Sequence, residues 1–388
     1  MRDIIESSDK GLTRVYRYRC YPTSKQVTLL NVALADHCTM YNAALEERKL
    51  AWKHSTKTSI SYYDQSKQLK EIRRAEPLGL GRWSFSSQQQ TLRRLHITYD
   101  AFYRRVRAGQ TPGFPRFKSV KTFNTVTFIN GDGGKFNEAE RQVYMLGVGH
   151  VKVNLHRATR GIVKQFSITR EGRHWFINVT CVKIPKEPRK PTGSAIGLDM
   201  GITNLLADSN GNLWSNPRLT RSNATRLARA QQAVSSCKKG SNREAKKRAL
   251  VATIHRTVRN QRHDNNHKIS HRLVKENDFI FFEALQILNM VKKTSKNKLG
   301  KEIHDAAWAT ITRMTTYKAE NAGVTVTVVP PEYTSQMCYE CKHVDPRNRN
   351  GDKFLCLSCG HEDHADINAA KNICWLGLSL RESCLTAA

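Results

Sequence analysis

Residues 13–21, TRVYRYRCY, alternate strictly, with Tyr16, Tyr18 and Cys20 on one face and Val15, Arg17 and Arg19 on the other. A period of two predicts a β-strand with one packed and one basic face. Pro22 stops it, and Thr23 or Ser24 can cap a helix in which Val27, Leu30, Leu34, Cys38, Tyr41 and Leu45 recur at three- and four-residue spacing. A second helix is expected over 62–75. A third is expected from about Ser86 to Arg107, with Leu92, Leu95, Tyr99, Phe102 and Val106 as its apolar stripe. Pro112, Gly113 and Pro115 then break helical character, and strand patterns follow at 124–129, 141–155, 163–169 and 174–184. An all-β unit interrupted by a helical bundle accounts for this order. The run from Pro185 to Pro191 reads as a linker.

Beyond it, residues 194–217 read as a strand ending at Asp199, a glycine turn, a second strand and a hairpin at Asn210-Gly211. Residues 218–275 are helical. An apolar strand at 279–285 presents Glu283, and a basic loop at 291–301 leads to a helix carrying Trp308, Ile311, Met314 and Tyr317. A strand at 324–330 completes an α/β layout.

Charge changes the picture most. The chain has 388 residues, room for two or three domains, and a net charge of +31. Such self-repulsion suits a polyanionic partner, with nucleic acid the first candidate. Residues 218–275 hold 16 Lys or Arg against only Glu244 and Asp264, so that run is expected to lie along a phosphate backbone. An anionic membrane is the rival partner, but the basic residues are dispersed and no amphipathic anchor or lipidation signal is present. No apolar run is long enough to span a bilayer, and the first residues lack a secretory apolar core. Cys20, Cys38, Cys181, Cys237, Cys374 and Cys384 are scattered without pattern, which fits reduced thiols in a cytoplasmic compartment.

Two chemistries stand side by side near the C-terminal end. Cys338 and Cys341 form one C-x2-C knuckle, and Cys356 and Cys359 another, with fourteen residues between them. Two thiolate pairs at this spacing suit tetrahedral Zn²⁺ in a structural ribbon; redox pairs or free thiols are the plainer alternative. Asp199, Glu283 and Asp366 each interrupt an apolar strand or open a helix. Buried carboxylates need compensation, either by salt bridges to the abundant arginines or by a shared divalent cation. Three converging carboxylates would form a two-metal Mg²⁺ site for phosphodiester hydrolysis.

The segments GLDMGITNLLADSNG, FFEAL, TSQMCYECKH…FLCLSCGH and HADINAAKNI, in this order, resemble the split RuvC nuclease domain of TnpB proteins, transposon-encoded RNA-guided DNA nucleases related to type V CRISPR effectors. YRYRCYPTSKQ and GFPRFKS are similar to that family's opening strand and strand re-entry segment. The resemblance implies an α/β RuvC-like (RNase H-like) domain at 191–388 with a zinc ribbon inserted at about 331–362. It also implies a β-barrel wedge domain at 1–21 and 119–190, interrupted by a helical recognition domain at 22–118. It makes Asp199, Glu283 and Asp366 the catalytic, Mg²⁺-binding acids, and implies one protein per guide RNA acting on double-stranded target DNA. Tyr62, Ser86, Gln89 and Gln90 are expected to read a short target-adjacent motif. Arg93, Arg94, Arg116, Lys118, Arg256, Arg259 and Arg262 are expected to contact nucleic acid. A compact type V CRISPR effector is the alternative, followed by an RNA-guided repressor that binds without cutting.

Overall fold

The structure, a computed structural model, describes residues 11–285 and 305–386. The expected basic loop at 291–301 and the side chain of Cys384 lie outside what it describes. The chain divides into two compact units, Met1–Pro185 and Lys186–Ala388.

The first unit is a seven-stranded antiparallel sheet with three helices between its first two strands. β1 (Leu12–Tyr21) pairs with β5 (Gly149–Asn154) and β7 (His174–Ile184). The full order is β2 (Thr125–Ile129), β6 (Ile162–Glu171), β7, β1, β5, β4 (Gln142–Met145), β3 (Gly134–Asn137). A tight turn joins edge strands β2 and β3, with Gly131 N donating to Gly134 O, so the sheet nearly closes on itself. The alternation along β1 is as expected: Tyr16, Tyr18 and Cys20 are buried, while Val15 and Arg17 are exposed. Residues 141–155 are a hairpin rather than one strand. Gly147 and Gly149, at φ 83° and 89°, turn the chain where a side chain would strain it.

Helix α1 (Ser24–Lys53) starts at a capping box between Thr23 and Gln26, and α2 (Tyr62–Ala75) at one between Ser61 and Asp64. Helix α3 (Phe85–Arg107) buries Leu92, Leu95 and Tyr99, but Val106, expected in its stripe, is exposed.

The second unit is a five-stranded mixed sheet between helical layers. Its order is β10 (Leu213–Ser215), β9 (Asn204–Asp208), β8 (Ala195–Asp199), β11 (Phe279–Glu283), β12 (Thr325–Val329), with β8, β11 and β12 parallel. The basic run forms α4 (Leu219–Ser222), α5 (Ala224–Ser235) and the 35-residue α6 (Asn242–Glu276). Ile196, Leu198, Ile280 and Phe282 pack with Ile269 and Leu273 of α6 and with Trp308 and Ile311 of α7 (Trp308–Ala322). Tyr317 leaves that stripe and is exposed. The opposite face carries α8 (Ala365–Thr386). There Gly197 and Gly377 have no room for a side chain: a Cβ would strike Ala370 O and Cys374 N at the first, and the Phe281 ring at the second. The segment read as a linker is strapped down within this unit. Glu187 N and Arg189 N donate to Asn321 O and Ala322 O, and Arg189 pairs with Asp278 at 2.8 Å. Three short strands, β13 (Arg349–Asn350), β14 (Lys353–Leu355) and β15 (Glu362–His364), form the ribbon sheet.

Candidate active site and nucleic-acid interface

Side chains two apart on a strand share a face. Gly197 and Phe281 lie under α8, so Asp199 and Glu283, two residues further on, point to the α8 side as well. The parallel register, Phe282 opposite Leu198, brings the two acids level on neighbouring strands. Helix α8 starts at that same end of the sheet, with Asp366 in its first turn. Its close approach over Gly197 is what delivers this third acid. The electrostatics agree. Asp199 is pushed up to about 7, first by burial and then by the negative charges of Asp366 and Glu283, against weaker pulls from Arg349 and the Met200 N–H. Burial also raises Glu283, opposed by a hydrogen bond from the Thr334 hydroxyl at 3.1 Å from Oε1.

Reading the sequence missed Arg349. This ribbon residue donates to Asp366 Oδ1 at 2.8 Å and is the cation that the structure pairs with the trio. Asp352, His364 and Asp366 also bring ligand atoms within 4.8 Å of one another. The all-carboxylate set of Asp199, Glu283 and Asp366 suits a hard divalent cation, which would relieve the repulsion that raises Asp199.

The four ribbon cysteines converge as their spacing predicts, with their sulfurs within 4.8 Å of one another. Backbone N–H groups of Glu340 and Cys341 bond Cys338 Sγ, and those of Ser358 and Cys359 bond Cys356 Sγ. Four sulfurs gathered this closely from two knuckles fit tetrahedral zinc.

The expected nucleic-acid contacts divide in two. Arg93, Arg94, Arg116 and Lys118 are exposed, and Asn42 fixes the Lys118 backbone through two 2.8 Å bonds. Gln90, Arg93 and Arg94 line a groove of about 290 Å³ with Gln165 of β6. Ser86, by contrast, is fully buried and donates to Asp132 O at 2.7 Å, because the start of α3 is tucked against the β2–β3 turn. Tyr62 is also buried, under Arg93 and beside His96, whereas its neighbour Tyr63 is 73% exposed. Gln89 is half-buried and donates to Ser66. In α6, Arg259 is exposed and Arg256 half-buried. Arg262 is turned inward, pairing with Asp305 and the Thr220 hydroxyl, so it holds α4 in place instead of offering a free cation. These inward residues correct the expectation that they face a ligand.

Fold and site together define an α/β protein that gathers three carboxylates beside a four-cysteine ribbon. Family models match three stretches: "Probable transposase" (OrfB of IS605) over 179–294, "Cas12f1-like, TNB domain" over 308–373 and "Helix-turn-helix domain" over 12–57. In this structure the last of these is strand β1 and the single helix α1. A Streptomyces pristinaespiralis protein named "Putative RNA-guided DNA endonuclease" is 32% identical over 94% of this chain and 90% of its own length. InsQ of Escherichia coli K12, also named as such an endonuclease, is 30% identical over 74% and 72%. The fold is similar to a Cas12f1 chain solved in complex with guide RNA and target DNA, with a TM-score of 0.57 at 12% identity, covering 94% of this chain and 99% of that one. The chain belongs to the TnpB family of IS605 OrfB-type proteins. Among the described residues, no helix is long and apolar enough to cross a membrane.

Proposed function

We infer that this protein is an RNA-guided DNA endonuclease that hydrolyses target DNA at an RuvC-like, Mg²⁺-dependent centre formed by Asp199, Glu283 and Asp366. The observation that carries this reading is geometric: parallel strands β8 and β11 end level at Asp199 and Glu283, and α8, packed on Gly197, opens with Asp366 in its first turn. Bound there, Mg²⁺ supplies a nucleophilic hydroxide and charge neutralisation for the leaving 3′-oxygen. Asp199 and Glu283 would hold the cation from adjacent strand ends. Asp366 closes the site from the helix start, and Arg349 balances its charge and can turn to a phosphate oxygen. The four-cysteine ribbon takes zinc as a structural ion. In the first unit, Arg93, Arg94, Arg116 and Lys118 offer phosphate contacts, and Gln90 offers a base-edge contact beside them. The setting is the prokaryotic cytoplasm, with one protein per guide RNA and the target read chiefly by base pairing.

The test uses protein copurified with its RNA, incubated with a plasmid bearing the matching target and Mg²⁺. Cutting that requires the RNA, Mg²⁺ and Asp199 is expected. Cutting that survives Asp199→Ala would remove the assignment.

A further inference from the structure

Buried hydrogen bonds join the first cysteine knuckle to the acid centre. Asn368 and Asn372 lie one turn apart on α8 and are fully buried. Asn368 donates through Nδ2 to Met337 O at 2.8 Å and accepts from Tyr339 N at 3.0 Å. Asn372 donates through the same kind of atom to Met337 O at 2.7 Å and to Thr334 O at 3.0 Å. Met337 directly precedes Cys338, and Tyr339 lies inside the knuckle. Two amides therefore bolt the knuckle to the helix that carries Asp366. Within the same segment, Thr334 is 2% exposed and its hydroxyl proton is shared between Glu283 Oε1 and Pro331 O, at 3.1 and 3.2 Å.

Simple packing does not account for these residues. Asn372 Oδ1 is buried with no partner among the described residues, a desolvation cost that a leucine of similar size would not carry. Its two donated bonds must offset that. Thr334 likewise commits a buried hydroxyl to an acid that is already desolvated. Each residue links the knuckle segment either to a carboxylate or to the helix start bearing one.

We propose that Thr334, Asn368 and Asn372 are positioning residues, through which the folded knuckle sets the spacing of Glu283 and Asp366 for cation binding. This rests on the reading of the trio as a metal-binding nuclease centre. A misplacement of about 1 Å in such a site costs on the order of 100-fold in rate, so small shifts of the knuckle matter.

The decisive variants are Thr334→Val, which keeps shape and loses the hydroxyl, and Thr334→Ser, which restores it. Three quantities are measured on the protein–RNA complex: zinc content, target-DNA affinity, and Mn²⁺ binding by electron paramagnetic resonance. Mn²⁺ binding is taken as the difference from an Asp199→Asn complex, to subtract ions held by the RNA. Thr334→Val is expected to keep its zinc and target affinity, to bind Mn²⁺ about tenfold more weakly and to need about tenfold more Mg²⁺ for half-maximal cutting. Thr334→Ser is expected to recover both. Asn372→Leu tests the second arm, with zinc retained and Mn²⁺ weakened by a similar factor. The proposal is overturned if Thr334→Val and Asn372→Leu match wild type in Mn²⁺ and Mg²⁺ dependence. It is equally overturned if Thr334→Ser behaves like Thr334→Val. A wild-type complex that binds target and never cuts would instead refute the nuclease reading beneath it.

Discussion

Two acids stand almost side by side in the second unit's sheet and live in opposite circumstances. Asp208, at the end of β9, is 1% exposed and receives bonds from Asn210 N, Asn212 N, the Asn212 side-chain amide and Trp214 Nε1, all at 2.9–3.1 Å. Its hairpin is wound around it. Asp199, paired across the strands with Ala207, has one backbone N–H from Met200 and faces two more carboxylates. Burial alone therefore does not mark a functional acid. A carboxylate whose neighbours satisfy it builds structure, and one whose neighbours repel it is held for a ligand that arrives later.

Removing each acid should separate these roles. Asp199→Asn is expected to lower guided cleavage by at least about 1,000-fold while leaving target binding intact, since several kcal/mol of transition-state stabilisation pass through this centre. Cleavage kinetics beside a gel-shift assay would show it, and loss of target binding would contradict it. Asp208→Ala should do the reverse. It removes the buried acceptor shared by four donors and is expected to cost about 2–3 kcal/mol, read in denaturant melts, with cutting per folded molecule unchanged. If Asp208→Ala abolishes cutting in folded protein, the contrast fails.

The smallest effect is with pH. Asp199 titrates at about 7 when folded and near 3.8 when unfolded. As pH rises between these values the unfolded chain loses its proton first, so metal-free stability should fall, by about 2 kcal/mol between roughly pH 5.5 and 7. Thermal melts in EDTA should show that decline. Mg²⁺ or Asp199→Asn should flatten it, and a rise in stability over the same interval would count against the environment assigned to Asp199.

Much of this site was legible because its signals are local. C-x2-C spacing fixes two sulfurs at a time, and acids at strand ends break an apolar pattern visibly. Capping at Thr23 and the strands flanking the helical insertion follow from short-range rules. What escaped depends on closure between distant segments. Arg349 reaches Asp366 only because the ribbon folds back on α8, and Arg262 is engaged by Asp305, 43 residues further along. Ser86 and Tyr62 look like polar and aromatic surface positions in a helical repeat. They are buried because the β2–β3 turn and His96 cover them, which no periodicity within one helix announces. The short strand β3 was also missed, since GKFN carries only two turns of alternation.

Placing the third acid on α8 also orders events in time. Asp366 follows Asp199 by 167 residues, with Glu283 and both cysteine knuckles in between. At roughly 5–20 residues per second of synthesis, the first acid waits on the order of ten to thirty seconds for the last. During that interval the nascent chain carries an incomplete carboxylate set and an unfinished sheet face, since α8 has not yet covered Gly197. On the proposed reading the cutting centre is complete only after the ribbon exists, so a chain stalled before it would be basic and able to cling to nucleic acid, yet unable to cut it.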